Sequence, residues 1–158
     1  MNGAVPLNNA LILSYPDGFH VMDEREREKL IIMGNGPWQG LSDPERHIII
    51  TVGWKALGGL SAMLVSAKDA VKSMEAKIEK PMRAFGYRPC GNLSKDVDGE
   101  RAEGFCYEYE AQGVGMYAES YVLKRDKVFY YLHFYARTEL KAGSLDIWND
   151  ILTSARWI

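Results

Sequence analysis

The sequence predicts an α+β domain built on a meandering antiparallel sheet with helices packed on it. Three observations carry that expectation. From Tyr87 to Arg137 the chain runs in long strand-like segments separated by short turn signals, among them Asp98-Gly99, Gly113-Val114-Gly115 and Asp126-Lys127. Helical periodicity is strong after Ser66 and again after Ser144. No internal repeat, low-complexity tract or linker interrupts the 158 residues, so one domain is expected over residues 1–158.

The elements follow in order. Ala10 to Tyr15 is a strand candidate stopped by Pro16-Asp17-Gly18. Asp23 opens a short charged stretch to Lys29, acidic at its start and basic at its end, as the helix dipole prefers. Asp23/Arg27 and Glu26/Lys29 are spaced to meet on one solvated surface. Gly34 to Gly40 is expected to be loop, with Trp38 as a packing anchor. His47 to Trp54 carries the branched residues that strands favour. Leu60 to Val65 fits either a helix or a strand by periodicity. Ser66-Ala67-Lys68-Asp69 then forms a variant capping box, and Val71, Met74, Ile78, Met82 and Phe85 fall on one helical stripe. Pro81 should kink or end that helix, and Gly86 closes it. Four strands are expected near Tyr87–Val97, Glu100–Ala111, Met116–Arg125 and Val128–Arg137. Ser144 is expected to cap a last helix with Leu145, Trp148, Ile151, Leu152 and Ala155 on one face.

Turn chemistry also predicts a register. A three-residue loop at Gly113–Gly115 pairs Gln112 with Met116, Tyr109 with Glu119 and Tyr107 with Tyr121. A two-residue loop at Gly113-Val114 would instead set Glu108 opposite Glu119, which like charges disfavour. Pairing Arg125 with Val128 places Leu132 beside Tyr121 and Phe134 beside Glu119. One face then holds Phe105, Tyr107, Tyr109, Tyr121, Leu123, Tyr130, Leu132 and Phe134 as the core. The other holds Cys106, Glu108, Glu110, Ala118, Ser120, Val122, Tyr131, His133 and Tyr135. Pairing Val97 with Glu100 sets Cys90 opposite Tyr107 on the core face, so Cys90 and Cys106 should point apart and not bridge.

Composition narrows the class of function. A formal net charge of −2 gives no overall footprint for nucleic acid or an anionic membrane. Two cysteines are too few for a disulfide framework, which favours a reducing compartment. No signal peptide, lipid-bearing cysteine or transmembrane-length apolar run is seen, so the expected location is cytoplasmic.

Read as a whole, the order resembles the PsbP-like fold family, an α/β/α sandwich around an antiparallel sheet. The matching residues are Ser14-Tyr15-Pro16-Asp17-Gly18-Phe19 and the strand pair around Asp98-Gly99-Glu100-Arg101-Ala102-Glu103-Gly104-Phe105. The aromatic strand Val128–Tyr135 and the ending Ile147-Trp148-Asn149-Asp150-Ile151-Leu152-Thr153-Ser154 complete the match. Family members serve mainly as binding proteins: a photosystem subunit, a nuclear-transport GTPase partner and secretion chaperones. The resemblance implies a protein-binding role and names no partner.

Motifs for chemistry are sparse. Gly113-Val114-Gly115-Met116-Tyr117-Ala118 loosely matches a dinucleotide fingerprint but has strands on both sides. Asp96-Val97-Asp98-Gly99-Glu100 resembles part of a calcium loop whose twelfth position is Tyr107, where a glutamate is needed. His20, His47 and His133 lack zinc-ligand spacing, so no metal or cofactor is expected. One polar row stands out: Glu108, Ser120 and His133 fall side by side on the non-core face in the expected register, with Tyr131, Tyr135 and Arg137 nearby. A serine, a histidine and a carboxylate are the parts of an acyl-transfer triad, but Ser120 lies in the middle, where a relay needs the histidine. No catalytic residue is therefore assigned. The expected function is a non-enzymatic protein-binding or accessory module. The alternatives are a small-ligand-binding protein, or a hydrolase, using the Glu108/Ser120/His133 face.

Overall fold

The computed structural model of the chain describes residues 1–30 and 36–158. Its strands are β1 (Gly3–Leu7), β2 (Leu11–Tyr15), β3 (His20–Val21), β4 (Trp38–Asp43), β5 (Ile48–Ala56), β6 (Arg88–Val97), β7 (Glu100–Ala111), β8 (Val114–Arg125), β9 (Val128–Arg137) and β10 (Arg156–Trp157). Its helices are α1 (Glu24–Glu28), α2 (Ser61–Leu64), α3 (Ala67–Met82) and α4 (Lys141–Ser154). Seven strands form one antiparallel sheet in the order β3-β4-β5-β9-β8-β7-β6, and β1, β2 and β10 form a second. This is the α+β arrangement that the turn spacing predicts.

Both faces of the large sheet are covered over its central strands. The smaller sheet and α4 cover one face, packing Leu7, Leu11, Leu13, Trp148, Ile151 and Leu152 against Tyr121, Leu123, Leu132 and Phe134. On the other face α3 lies over β7 and β8, with Met74 and Met82 against Phe105, Tyr107, Ala118 and Val122. The central strand β8 is accordingly buried without a break from Tyr117 to Leu123. A strand covered on both sides hides apolar residues at every position, so the distinction between core face and outer face does not hold here.

The local expectations largely stand. Ser66 and Asp69 form the expected capping box on α3, and α1 begins at the charged stretch with a further box, not expected from the sequence, between Asp23 and Glu26. Pro81 sits inside the last turn of α3, which gives way to a 3₁₀ turn over 83–85. That change leaves Phe85 exposed and off the buried stripe. Gly86 closes the segment in the left-handed conformation. Asp98-Gly99 and Asp126-Lys127 are two-residue reversals with positive φ at both positions, matched to strand twist.

Several expectations are corrected. Trp38, Gln39 and Gly40 are not loop but the start of β4, paired with Gly53, Val52 and Thr51. Gly34 and Asn35 lie outside the described residues. Strand β1, unforeseen in the sequence, pairs along its whole length with β2. Ser144 does not cap α4, which begins at Lys141 and buries Ser144 on its inner side. The ambiguous segment Leu60–Val65 holds the one-turn helix α2.

The largest correction is the β7–β8 register. The chain reverses at Gln112-Gly113, both with positive φ (52° and 78°), and pairs Ala111 with Val114. Tyr109 therefore faces Met116, Tyr107 faces Ala118 and Phe105 faces Ser120. Relative to the three-residue loop this is an odd shift, and an odd shift swaps the faces of a strand. The β8–β9 register is as expected: Arg125 pairs with Val128, Tyr121 with Leu132 and Ser120 with His133.

The cysteine expectation is also overturned. The β6–β7 ladder breaks register between Pro89 and Gly91, so Cys90 is the extra residue of a bulge. Pro89 lacks a ladder donor, and Gly91 takes a φ of 128°. The bulge turns Cys90 onto the face of Cys106; their Cα atoms are 5.2 Å apart and the two residues form a disulfide. The cysteines consequently give no argument for a reducing compartment.

Candidate functional site

Ser120 and His133 occupy adjacent central strands, directly opposite in the ladder, on the α3 side of the sheet. Ser120 Oγ and His133 Nδ1 are joined by a 2.8 Å hydrogen bond. On the next strand His133 is paired with the buried Thr51, so the histidine stands between two hydroxyl residues. Tyr107 and Tyr135 lie one ladder position along on the same face, and the Tyr107 phenol interacts with both Ser120 and Tyr135. Aromatic rings continue this layer: Tyr87 and Phe105 lie 5.2 and 5.8 Å from Tyr107, Tyr109 lies 5.8 Å from it, and His133 is stacked 6.3 Å from Tyr135.

Burial dominates the electrostatics. Loss of water holds the His133 imidazole neutral, with its pKa lowered from 6.5 to about 4. Burial, followed by the neighbouring Tyr135 and Tyr109, raises the Tyr107 phenol. Burial, and then Tyr109, raises Tyr135; burial alone pushes Tyr109 up to about 12. The layer is a neutral polar network beneath α3. Ser120 is fully closed to solvent and His133 nearly so, at 7% exposure.

Glu108 is not part of it. The swapped faces of β7 turn Glu108 to the α4 side, opposite Tyr117, where its carboxylate lies 3.6 Å from the Arg88 guanidinium. The expected row of Glu108, Ser120 and His133 therefore reduces to Ser120 and His133. Tyr131, Tyr135 and Arg137 do share the face of His133, at alternate positions along β9. All three are half-buried, and Arg137 faces Glu139 at 3.8 Å.

A second polar centre lies on the opposite face. Glu119 is buried, and its carboxylate accepts from Tyr117 Oη at 2.6 Å, Tyr121 Oη at 2.8 Å and Trp148 Nε1 at 3.1 Å. Gly104 leaves room for the Tyr121 ring, since a Cβ there would stand 2.5 Å from that ring's Cδ1. Lys141 Nζ lies 4.2 Å from the centre of the Tyr117 ring, a cation against the ring that donates to Glu119. This centre was absent from the expected site, although the alternation of Glu119 with Tyr117 and Tyr121 puts all three on one face. Among the described residues no group of three or more His, Cys, Asp or Glu side chains is placed to hold a metal ion.

A two-sheet, helix-covered antiparallel architecture with these buried polar centres defines the class of fold; comparison with known proteins makes it particular. No family model and no curated protein matches the sequence. Solved structures do match in three dimensions. The cyanobacterial PsbP protein CyanoP from Synechocystis sp. PCC 6803 superposes with a TM-score of 0.69 at 11% identity, covering 99% of this chain and 92% of that one. LpqN, involved in cell envelope biogenesis of Mycobacterium tuberculosis, gives 0.60 at 14% identity over 93% of this chain and 82% of that one. A Bacteroides thetaiotaomicron VPI-5482 protein gives 0.60 at 10% identity, over 94% of this chain and 45% of that one. The chain has the PsbP-like fold.

Proposed function

We propose that the chain is a non-enzymatic binding or accessory module whose contact surface is the half-buried strip Tyr131, Tyr135 and Arg137 on β9. The observation that supports this reading is the incomplete cover on one sheet face. Helix α3 packs over β7 and β8, while the aromatic and cationic side chains of β9 remain partly open to solvent. Tyrosine and arginine are the residue types that carry binding energy at protein interfaces, because each offers a large rigid area and a polar tip. Against the hydrolase alternative stand the closed position of Ser120 and the placement of Glu108 on the far side of the sheet.

The test is affinity capture from the native cell with the unaltered chain, beside Tyr131→Ala and Arg137→Ala variants. A protein retained by the first and lost from the variants, with the fold intact, is the expected result. Equal capture by all three would sink the assignment of the strip. A Ser120-dependent adduct with a fluorophosphonate probe would bring the hydrolase reading forward.

A further inference from the structure

Helix α2 is inverted with respect to the rule that governs surface helices. Its small residue, Ala62, faces inward at 4% exposure, while Leu60, Met63 and Leu64 stand out at 74%, 81% and 74%. Large apolar side chains displayed together on a soluble surface mark a contact with something apolar. The tip is held in place: Lys124 Nζ donates to the carbonyl oxygens of Ala62 and Val65. It also sits at one end of the sheet, where Leu57 N donates to the Lys127 carbonyl at 2.8 Å.

The surroundings carry positive charge. Lys55 at the end of β5, Lys127 in the β8–β9 turn and Lys68 in the first turn of α3 are all exposed. Two of the three nearby acids face an arginine. Glu100 pairs with Arg125 at 2.9 Å and Asp126 lies 3.9 Å from the same arginine, which leaves Asp69, exposed and bonded to the neutral Ser66, outside these ion pairs. The net charge of −2 over the whole chain conceals this local excess.

We propose that the α2 tip docks on an anionic lipid surface, with Leu60, Met63 and Leu64 entering the interface and Lys55, Lys68 and Lys127 meeting the headgroups. Protruding apolar side chains flanked by exposed lysines match a bilayer, which is apolar inside and negative at its surface. A groove on another protein would need the same apolar side chains but gives no reason for the flanking lysines. This surface is separate from the β9 strip, and its test does not depend on that reading.

The experiment is co-sedimentation of the full chain with vesicles of phosphatidylcholine alone and of phosphatidylcholine mixed with phosphatidylglycerol. The chain should pellet with the mixed vesicles and remain in solution with the neutral ones. Changing Leu60, Met63 and Leu64 together to serine should weaken binding by at least about tenfold, since each buried apolar side chain contributes that much or more. Lys55→Glu and Lys127→Glu should each weaken it by about fivefold or more. All substituted side chains are exposed, so circular dichroism should be unchanged. Failure of the chain to pellet with mixed vesicles, or unaltered pelleting of the triple-serine variant, overturns the proposal. A concentration-dependent dimer in sedimentation velocity, abolished by the triple change with no vesicle binding, would assign the tip to a second copy instead.

Discussion

Glu119 and His133 show how one side chain in a closed sheet acquires consequences beyond its own contacts. Three donors converge on the Glu119 carboxylate. Glu119→Ala strands those donors in the core and should cost about 3 kcal/mol in chemical denaturation. Glu119→Gln keeps one acceptor oxygen and places an amide against a hydroxyl that can turn to accept, so it should cost about half as much. A Glu119→Ala protein as stable as the parent would mean that the network contributes nothing. His133 gives a pH signature. Its folded-state pKa, about 4, lies below the ordinary 6.5, so the unfolded chain binds the extra proton between those values. Its contribution is whole above pH 6.5 and is lost as pH falls toward 4, amounting to about 3 kcal/mol. Denaturation curves for the parent and His133→Gln should therefore converge on acidification through that window. Parallel curves would show that His133 is solvated in the folded chain.

At the scale of the element, α4 and the β7–β8 turn carry separate expectations. Trp148 is fully buried, stacked 5.4 Å from Phe134 with the rings 10° apart, and tied to Glu119 through its indole nitrogen. Trp148→Ala should cost about 3–5 kcal/mol, read as a lowered denaturation midpoint. The turn works in the other direction. Gln112 holds a φ of 52°, a conformation that asparagine and glycine adopt with less strain. Gln112→Asn creates the preferred Asn-Gly pair and should stabilise the chain by about 0.5–1 kcal/mol. A loss of that size would show that the glutamine side chain contributes something the turn geometry does not contain.

For the whole molecule, the disulfide and the double cover of the sheet set the stability. Cys90 and Cys106 are 16 residues apart, and closing a loop of that length removes about 3 kcal/mol of unfolded-chain entropy. Reduction should lower the denaturation midpoint, and alkylation of the unfolded, unreduced chain should find no free thiol. Quantitative labelling of both cysteines without reductant would return the β6 edge to the unbridged arrangement that a regular ladder predicts. The double cover also explains why β8 carries apolar residues on both of its faces. Between Tyr117 and Leu123 even Ser120 and Glu119 are enclosed, each by hydrogen bonds on its own face.

Sequence alone determined what depends on neighbours along the chain: the α+β class, the Ser66–Asp69 capping box, the Asp98-Gly99 and Asp126-Lys127 hairpins, and the pairing of Ser120 with His133. Each rests on local backbone chemistry or on counting outward from a two-residue turn. Strand β4 escaped because Gly36, Pro37 and Gly40 give a loop signal, which pairing with β5 overrides. Tertiary structure decided the rest. Gln112-Gly113 and Gly113-Val114-Gly115 are both credible reversals, and three residues separate the registers they impose. That odd difference carries Glu108 away from Ser120 and His133 to the opposite face. The bulge at Cys90 likewise brings together two sulfurs that a regular ladder would hold apart. In both cases a single local backbone choice, selected by packing across the sheet, fixed which side chains share a face and hence which residues can form a site.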